Sequence, residues 1–234
     1  MKKTIILNHK MSLLYDDLYS YIDKINNIET EHDIIIAPSS IYLEAFVNNS
    51  YWLTAAQNMS ASTDNNHTGE ISTDQLKSLG IEYVLVGHYE RVTEFNESPS
   101  VINEKLIGAL DANIFPIVCL GETLEEDYHK IIPKQIDAYL KDIDNIDFIT
   151  FAYEPLYAVG TGILPKKEKI DEVVTFVKEY LEDKYHKKAK VLYGGSVDSS
   201  NINNIINIES IDGVLIGSTS SDIKEVERIF ESIK

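Results

Sequence analysis

Short apolar runs alternate along the chain with longer stretches whose apolar residues recur at helical spacing. The short runs are Thr4–Asn8, Asp33–Ala37, Tyr51–Ala55, Tyr83–Val86, Phe115–Leu120, Phe148–Tyr153, Lys190–Tyr193 and Val214–Ile216. Each is continuous rather than alternating, the pattern of a strand buried on both faces in a parallel sheet. The longer stretches predict helices over Leu13–Ile28, Ile41–Asn48, Thr73–Leu79, Ser100–Ala112, Leu124–Lys141, Glu168–Tyr185, Ser200–Ile206 and Ser221–Ile233. Strands that alternate with helices imply an α/β fold, and eight such alternations predict one closed (β/α)8 barrel over residues 1–234. An open doubly wound sheet is the alternative. No linker or low-complexity tract divides the chain, and the repeat is one of pattern rather than of sequence. Hydrophobic residues make up 44% of the 234, enough to fill such a core and too many for a disordered chain.

A barrel places its chemistry at the C-terminal ends of its strands. The polar residues after each run therefore belong together: Asn8 and Lys10, Gln57 and Asn58, His88, Glu90 and Arg91, Glu122, Glu154, Ser196 and Gly217. The stretch Ala152–Gly162 is the most informative. Glu154 closes a strand-like run, Pro155 follows at once, and a short apolar segment ends on Gly160-Thr161-Gly162. That is the layout of a general base joined to a mobile lid, here about residues 155–165. Lys10 is the lone cation at the end of its strand, either a surface lysine or an ammonium facing an anionic substrate. His88 precedes a short helix expected from Tyr89, where the positive end of the dipole favours the neutral imidazole. A capping or packing histidine is the alternative. Three glycine-containing loops, Gly160–Gly162, Gly194-Gly195-Ser196 and Gly217-Ser218, follow the last three strands. One such loop is an ordinary turn, but three in succession offer backbone N–H groups for a phosphate.

The formal net charge of −17 excludes nucleic acid as a natural partner. No apolar run reaches the roughly 18 residues that a membrane span needs, so no membrane partner is expected. The apolar stretch after Lys2 and Lys3 is too short for a signal peptide, and a cytoplasmic location is expected. A single cysteine, Cys119, rules out an intramolecular disulfide and is read as a packing residue. No clustered His and Cys ligands appear, so neither a metal nor another cofactor is expected.

These motifs together resemble the triosephosphate isomerase family nearly end to end. Asn8-His9-Lys10 is similar to its Asn-Trp-Lys element, with His9 in place of tryptophan. Ala56-Gln57-Asn58 and Thr68-Gly69-Glu70-Ile71-Ser72 match its third-loop signature, and Gly87-His88-Tyr89-Glu90-Arg91 its Gly-His-Ser-Glu-Arg. Phe95-Asn96-Glu97-Ser98, Cys119-Leu120-Gly121-Glu122, the Ala152–Gly162 stretch, Tyr193-Gly194-Gly195-Ser196-Val197 and Asp212–Gly217 follow in family order. The resemblance implies a TIM barrel and a glycolytic and gluconeogenic isomerase of triose phosphates. It implies Glu154 as base, His88 as electrophile, and Lys10 and Asn8 as stabilisers of negative charge. Backbone amides of Gly160, Ser196, Gly217 and Ser218 would hold the phosphate. Glu90 would contact Lys10, and Glu97 would support the site by pairing Arg91 or nearby backbone. Thr68 would tip the 58–71 loop that inserts into a second copy, giving a homodimer. The chain departs from the family at Tyr89 (serine there), Tyr157 (tryptophan), Ile163-Leu164-Pro165, Ser218 (glycine) and Asn65-Asn66-His67 (Gly-Ala-Phe). Ser218 is expected to strain its loop. A four-carbon ketose-phosphate isomerase with a wider pocket and a degenerate, non-catalytic barrel are the competing readings.

Overall fold

Eight short strands run parallel and pair in chain order until the last meets the first. They are β1 (Thr4–Asn8), β2 (Asp33–Ala37), β3 (Leu53–Ala56), β4 (Tyr83–Val86), β5 (Phe115–Leu120), β6 (Thr150–Tyr153), β7 (Lys190–Tyr193) and β8 (Gly213–Ile216). The computed structural model describes residues 2–62, 64 and 66–233; Asn65, one of the loop departures, lies outside them. On β1, Thr4 sits opposite Asp33 of β2 and opposite Gly213 of β8, which closes the ring and leaves no free edge. The barrel predicted from the alternation is the one observed, and the doubly wound sheet is excluded.

Closure explains the apolar runs. One side chain in two points into the lumen, where Ile6, Ile35, Leu85, Ile117, Leu192 and Leu215 pack together. Those between them pack outward against the helices, as Ile5, Ile36, Val84 and Phe151 do. Neither face meets water, so neither needs polar residues. The helices among the described residues are α1 (Tyr15–Asn26), α2 (Leu43–Asn49), α3 (Thr73–Leu79), α4 (Tyr89–Thr93), α5 (Pro99–Asp111), α6 (Tyr128–Tyr139), α7 (Lys167–Tyr185), α8 (Ile202–Ile206) and α9 (Ile223–Ser232). Each long one lays an apolar stripe on the sheet, such as Leu18, Tyr21, Ile22 and Ile25 of α1.

Several boundaries differ from the sequence expectation for local reasons. β3 starts at Leu53 because Tyr51 is exposed and the Trp52 indole donates to Ile25 O at the end of α1 (2.9 Å). Phe148 stays outside β6 and stacks on Phe115 at 5.7 Å between ring centroids. Leu14 is extended and starts α1 two residues later than its pattern suggests at Leu13. Asp127 caps α6 by accepting from His129 N (3.1 Å), so Leu124–Glu126 remain loop. Ser40–Tyr42 is a separate 3-10 turn before α2.

Candidate active site

The C-terminal mouth of the barrel holds a cavity of about 190 Å³. Asn8, Lys10, His88 and Glu154 line it together with Gly160, Gly194, Gly195, Ser196, Gly217 and Ser218. All eight residues expected to touch substrate thus meet at one place. Glu90 stands behind Lys10, and Glu97 lies further out beneath α4 and α5. Thr68 is exposed on the 58–71 loop and does not line the cavity.

At the end of β1 the chain turns so that Lys10 takes a left-handed backbone (φ 50°). A non-glycine residue there costs roughly 1–2 kcal/mol, so the turn needs support. Asn8 Oδ1 accepts from Lys10 N (3.1 Å), and Gln57 Nε2 donates to both Lys10 O (2.7 Å) and Ala37 O (2.9 Å). Gln57, at the end of β3, is a support that the sequence placed at the mouth without giving it a role. The ammonium then meets Glu90 Oε1 at 2.5 Å, the contact the family pattern implied. Partial burial raises the Glu90 pKa most, but the hydrogen bond to Lys10 and the other favourable charges and donors around it together hold the carboxyl below its ordinary value.

At the end of β4, His88 occupies the N-cap of α4. Its Nδ1 accepts from Glu90 N (3.4 Å), which leaves the ring hydrogen on Nε2. Nε2 faces Glu154 Oε1 at 3.3 Å. An imidazole held this way presents a donor to the cavity.

Glu154 follows β6 and is 2% exposed. Its Oε2 accepts from Tyr89 N (3.3 Å). Two glycines make room for it. A Cβ on Gly194 would stand 2.9 Å from Glu154 Cγ, and one on Gly121 would fall 1.9 Å from Glu154 O. Cys119 lies buried beside it, as a packing residue should, and burial pushes its thiol pKa well up. The segment after Glu154 is fastened at both ends. Leu156 N donates to Glu122 O (2.9 Å), and Pro165 is buried just before α7. Between them Gly160 and Gly162 adopt left-handed backbone. Ser196 donates its hydroxyl to Ala158 O (2.6 Å) and accepts from Gly162 N (3.2 Å). Ser196 therefore touches the 155–165 segment through its side chain, beyond the amide role given to it from sequence. Ser218 opens a 3-10 turn and is not left-handed, so the strain expected there is absent.

Beneath the mouth, Glu97 Oε1 accepts from Arg91 Nε (2.7 Å), as expected, and also from Lys105 Nζ (2.5 Å). Lys105 donates in addition to Asn58 Oδ1 (2.7 Å). Sequence reasoning missed Lys105. The signal was present, since it interrupts the apolar stripe Ile102, Leu106, Ala109 of α5. His9 is the opposite case. It is fully buried between Tyr21 and Phe46, at 4.7 and 5.5 Å, and neither ring nitrogen has a partner. Burial alone drives its pKa down to about 3.

Among the described residues no three His, Cys, Asp or Glu side chains cluster as a metal site would require, and no helix is long and apolar enough to cross a membrane. The fold and the site define a class, a (β/α)8 barrel with facing acid–base groups and amide-rich loops at its mouth. Residues 3–233 match the family model for triosephosphate isomerase. The chain is 34% identical to the triosephosphate isomerase of Alkaliphilus oremlandii, with 96% of this chain and 97% of that protein aligned. It is 36% identical to that of Mesomycoplasma hyopneumoniae, over 98% of both, and 34% identical to that of Mycoplasmopsis pulmonis, over 100% and 98%. The chain belongs to the triosephosphate isomerase family.

Proposed function

We propose that this protein interconverts dihydroxyacetone phosphate and D-glyceraldehyde 3-phosphate, as a step of glycolysis and gluconeogenesis. One observation carries the reading. Glu154 and His88 face each other at 3.3 Å on the wall of a small cavity that also holds Lys10 and three amide loops. Glu154 takes the proton from the carbon beside the carbonyl and returns it to the neighbouring carbon. Neutral His88 polarises the carbonyl and moves protons between the two oxygens of the enediolate, the role this family is known for. Lys10 and Asn8 stabilise the negative charge on substrate and intermediate. Backbone N–H groups of Gly160, Ser196, Gly217 and Ser218 hold the phosphate, and the lid over 155–165 excludes water. This chemistry needs no cofactor.

The match to relatives named as triosephosphate isomerases favours a three-carbon over a four-carbon sugar phosphate. A coupled assay on purified protein tests this. Turnover of glyceraldehyde 3-phosphate well above that of a four-carbon analogue is expected, and the reverse order defeats the triose reading.

A C2 homodimer in the cytoplasm completes the proposal. Met11, Ile41 and Phe95 are exposed large apolar residues. A hollow of about 240 Å³ opens beside Lys10, Met11, Ser39, Asn58 and Arg91. The 58–71 loop of a second copy, tipped by Thr68, suits that hollow. His67 gives the loop a polar approach and weakens its anchor. Activity should fall on dilution in step with dissociation seen by ultracentrifugation, and an active, stable monomer would end the dimer proposal.

A further inference from the structure

Resting on the isomerase reading above, we propose that Tyr89 is a positioning residue that braces the lid against the Lys10–Glu90 pair. Tyr89 is the first residue of α4 and follows His88 directly. Its backbone N–H holds Glu154, which leaves its side chain free for other partners. The ring lies 5.0 Å from the His88 ring and 5.3 Å from Lys10 Nζ. The Glu90 carboxylate, the counterion of Lys10, stands near enough to the hydroxyl to add to burial in raising its pKa. It also stands 3.9 Å from the point where a Cβ on Gly160 would be, so it reaches the lid backbone at a residue without a side chain. One side chain therefore meets the electrophile, the ammonium, its counterion and the lid. A serine here would end one atom beyond Cβ and reach neither the lysine nor the lid.

Each contact has a separate consequence. The ring face attracts the ammonium and restricts its long side chain to one direction. An ammonium fixed in advance meets the anionic substrate without the cost of ordering its side chain on binding. The hydroxyl gives the lid a stop at Gly160. Two residues then meet the lid, Ser196 through hydrogen bonds at Ala158 and Gly162 and Tyr89 by its nearness to Gly160 between them.

Two variants of the full-length protein separate these contributions. Tyr89→Phe keeps the ring and removes the hydroxyl, whereas Tyr89→Ala removes both. Each is assayed with glyceraldehyde 3-phosphate for kcat, KM and the inorganic phosphate lost per isomerisation, a leak that rises when the lid fails to shield the enediolate. Melting curves establish that each variant is folded. Tyr89→Phe should keep KM and raise the phosphate leak by about fivefold. Tyr89→Ala should show the same leak and raise KM by about threefold to fivefold, the range of a partly exposed cation–π contact. Parental KM and leak in both variants would overturn the proposal. So would a fall in kcat alone, which marks a merely structural residue. A folded parent without isomerase activity would remove the isomerase reading itself, and this brace with it.

Discussion

Two histidines sit at strand ends around the mouth, and they are built in opposite ways. His88 follows β4 with both ring nitrogens engaged, one by Glu90 N and one facing Glu154. His9 follows β1 with neither nitrogen engaged and an aromatic wall of Tyr21 and Phe46. Both are buried beside a residue of the proposed mechanism. Burial alone therefore does not mark a functional histidine; the partners do. The imidazole of His88 is held in one tautomer and aimed at the cavity. That of His9 serves as a neutral packing ring, a position where the family has tryptophan.

Removing each ring gives the sharpest contrast. His88→Gln should lower kcat by about 10²–10⁴-fold, the usual contribution of a positioned acid–base group. His9→Leu, close in volume, should leave kcat at pH 7.5 within about threefold. Equal losses in the two variants would show that His9 acts in the reaction and would break the contrast.

A second pair of buried charges sharpens it. Lys105 and Glu97 are buried like the histidines but pair through Glu97 Oε1, with Arg91 and Asn58 as further partners, while Glu97 Oε2 has none. Glu97→Gln leaves the Lys105 ammonium without its counterion and should cost about 3 kcal/mol of stability. Thermal unfolding should report this as a fall of roughly 6–12 °C. A fall of a degree or two would mean that water already solvates Lys105.

The smallest effect concerns pH. His9 titrates near 3 when folded, against 6.5 when exposed. Between those values the unfolded chain takes up a proton that the folded chain refuses. Stability is therefore complete above about pH 6.5 and falls as pH drops towards 3, by about 2 kcal/mol at pH 5. Denaturant titrations at pH 7.5 and 5 should show a smaller acid loss in His9→Leu than in the parent. Equal losses would assign the acid sensitivity to other groups.

The strands were legible because closing a parallel barrel buries both faces, and Ile34, Ile35 and Ile36 of β2 write that directly into sequence. Edges were less legible. Tyr51 and Phe148 look like strand residues by composition, yet lie outside β3 and β6 because one is exposed and the other has an aromatic neighbour. Residues that do chemistry were readable by type at a strand end, as Lys10, His88 and Glu154 were. Residues that hold them were not. Gln57 grips a carbonyl 47 positions away, and Lys105 meets Asn58 across the same distance. No local spacing records such long-range contacts. The left-handed turn at Lys10 was equally hidden, since lysine carries no preference for it.

The central claim is that the Glu154 carboxylate moves a proton between adjacent carbons of a triose phosphate. Solvent deuterium incorporation measures this most directly. Purified protein turns over glyceraldehyde 3-phosphate in D2O, and NMR follows deuterium at C1 of the dihydroxyacetone phosphate formed. The parent should form this deuterated product rapidly, and a folded Glu154→Gln variant should lose nearly all of that rate. Deuterium entering at the parental rate in Glu154→Gln would contradict the account.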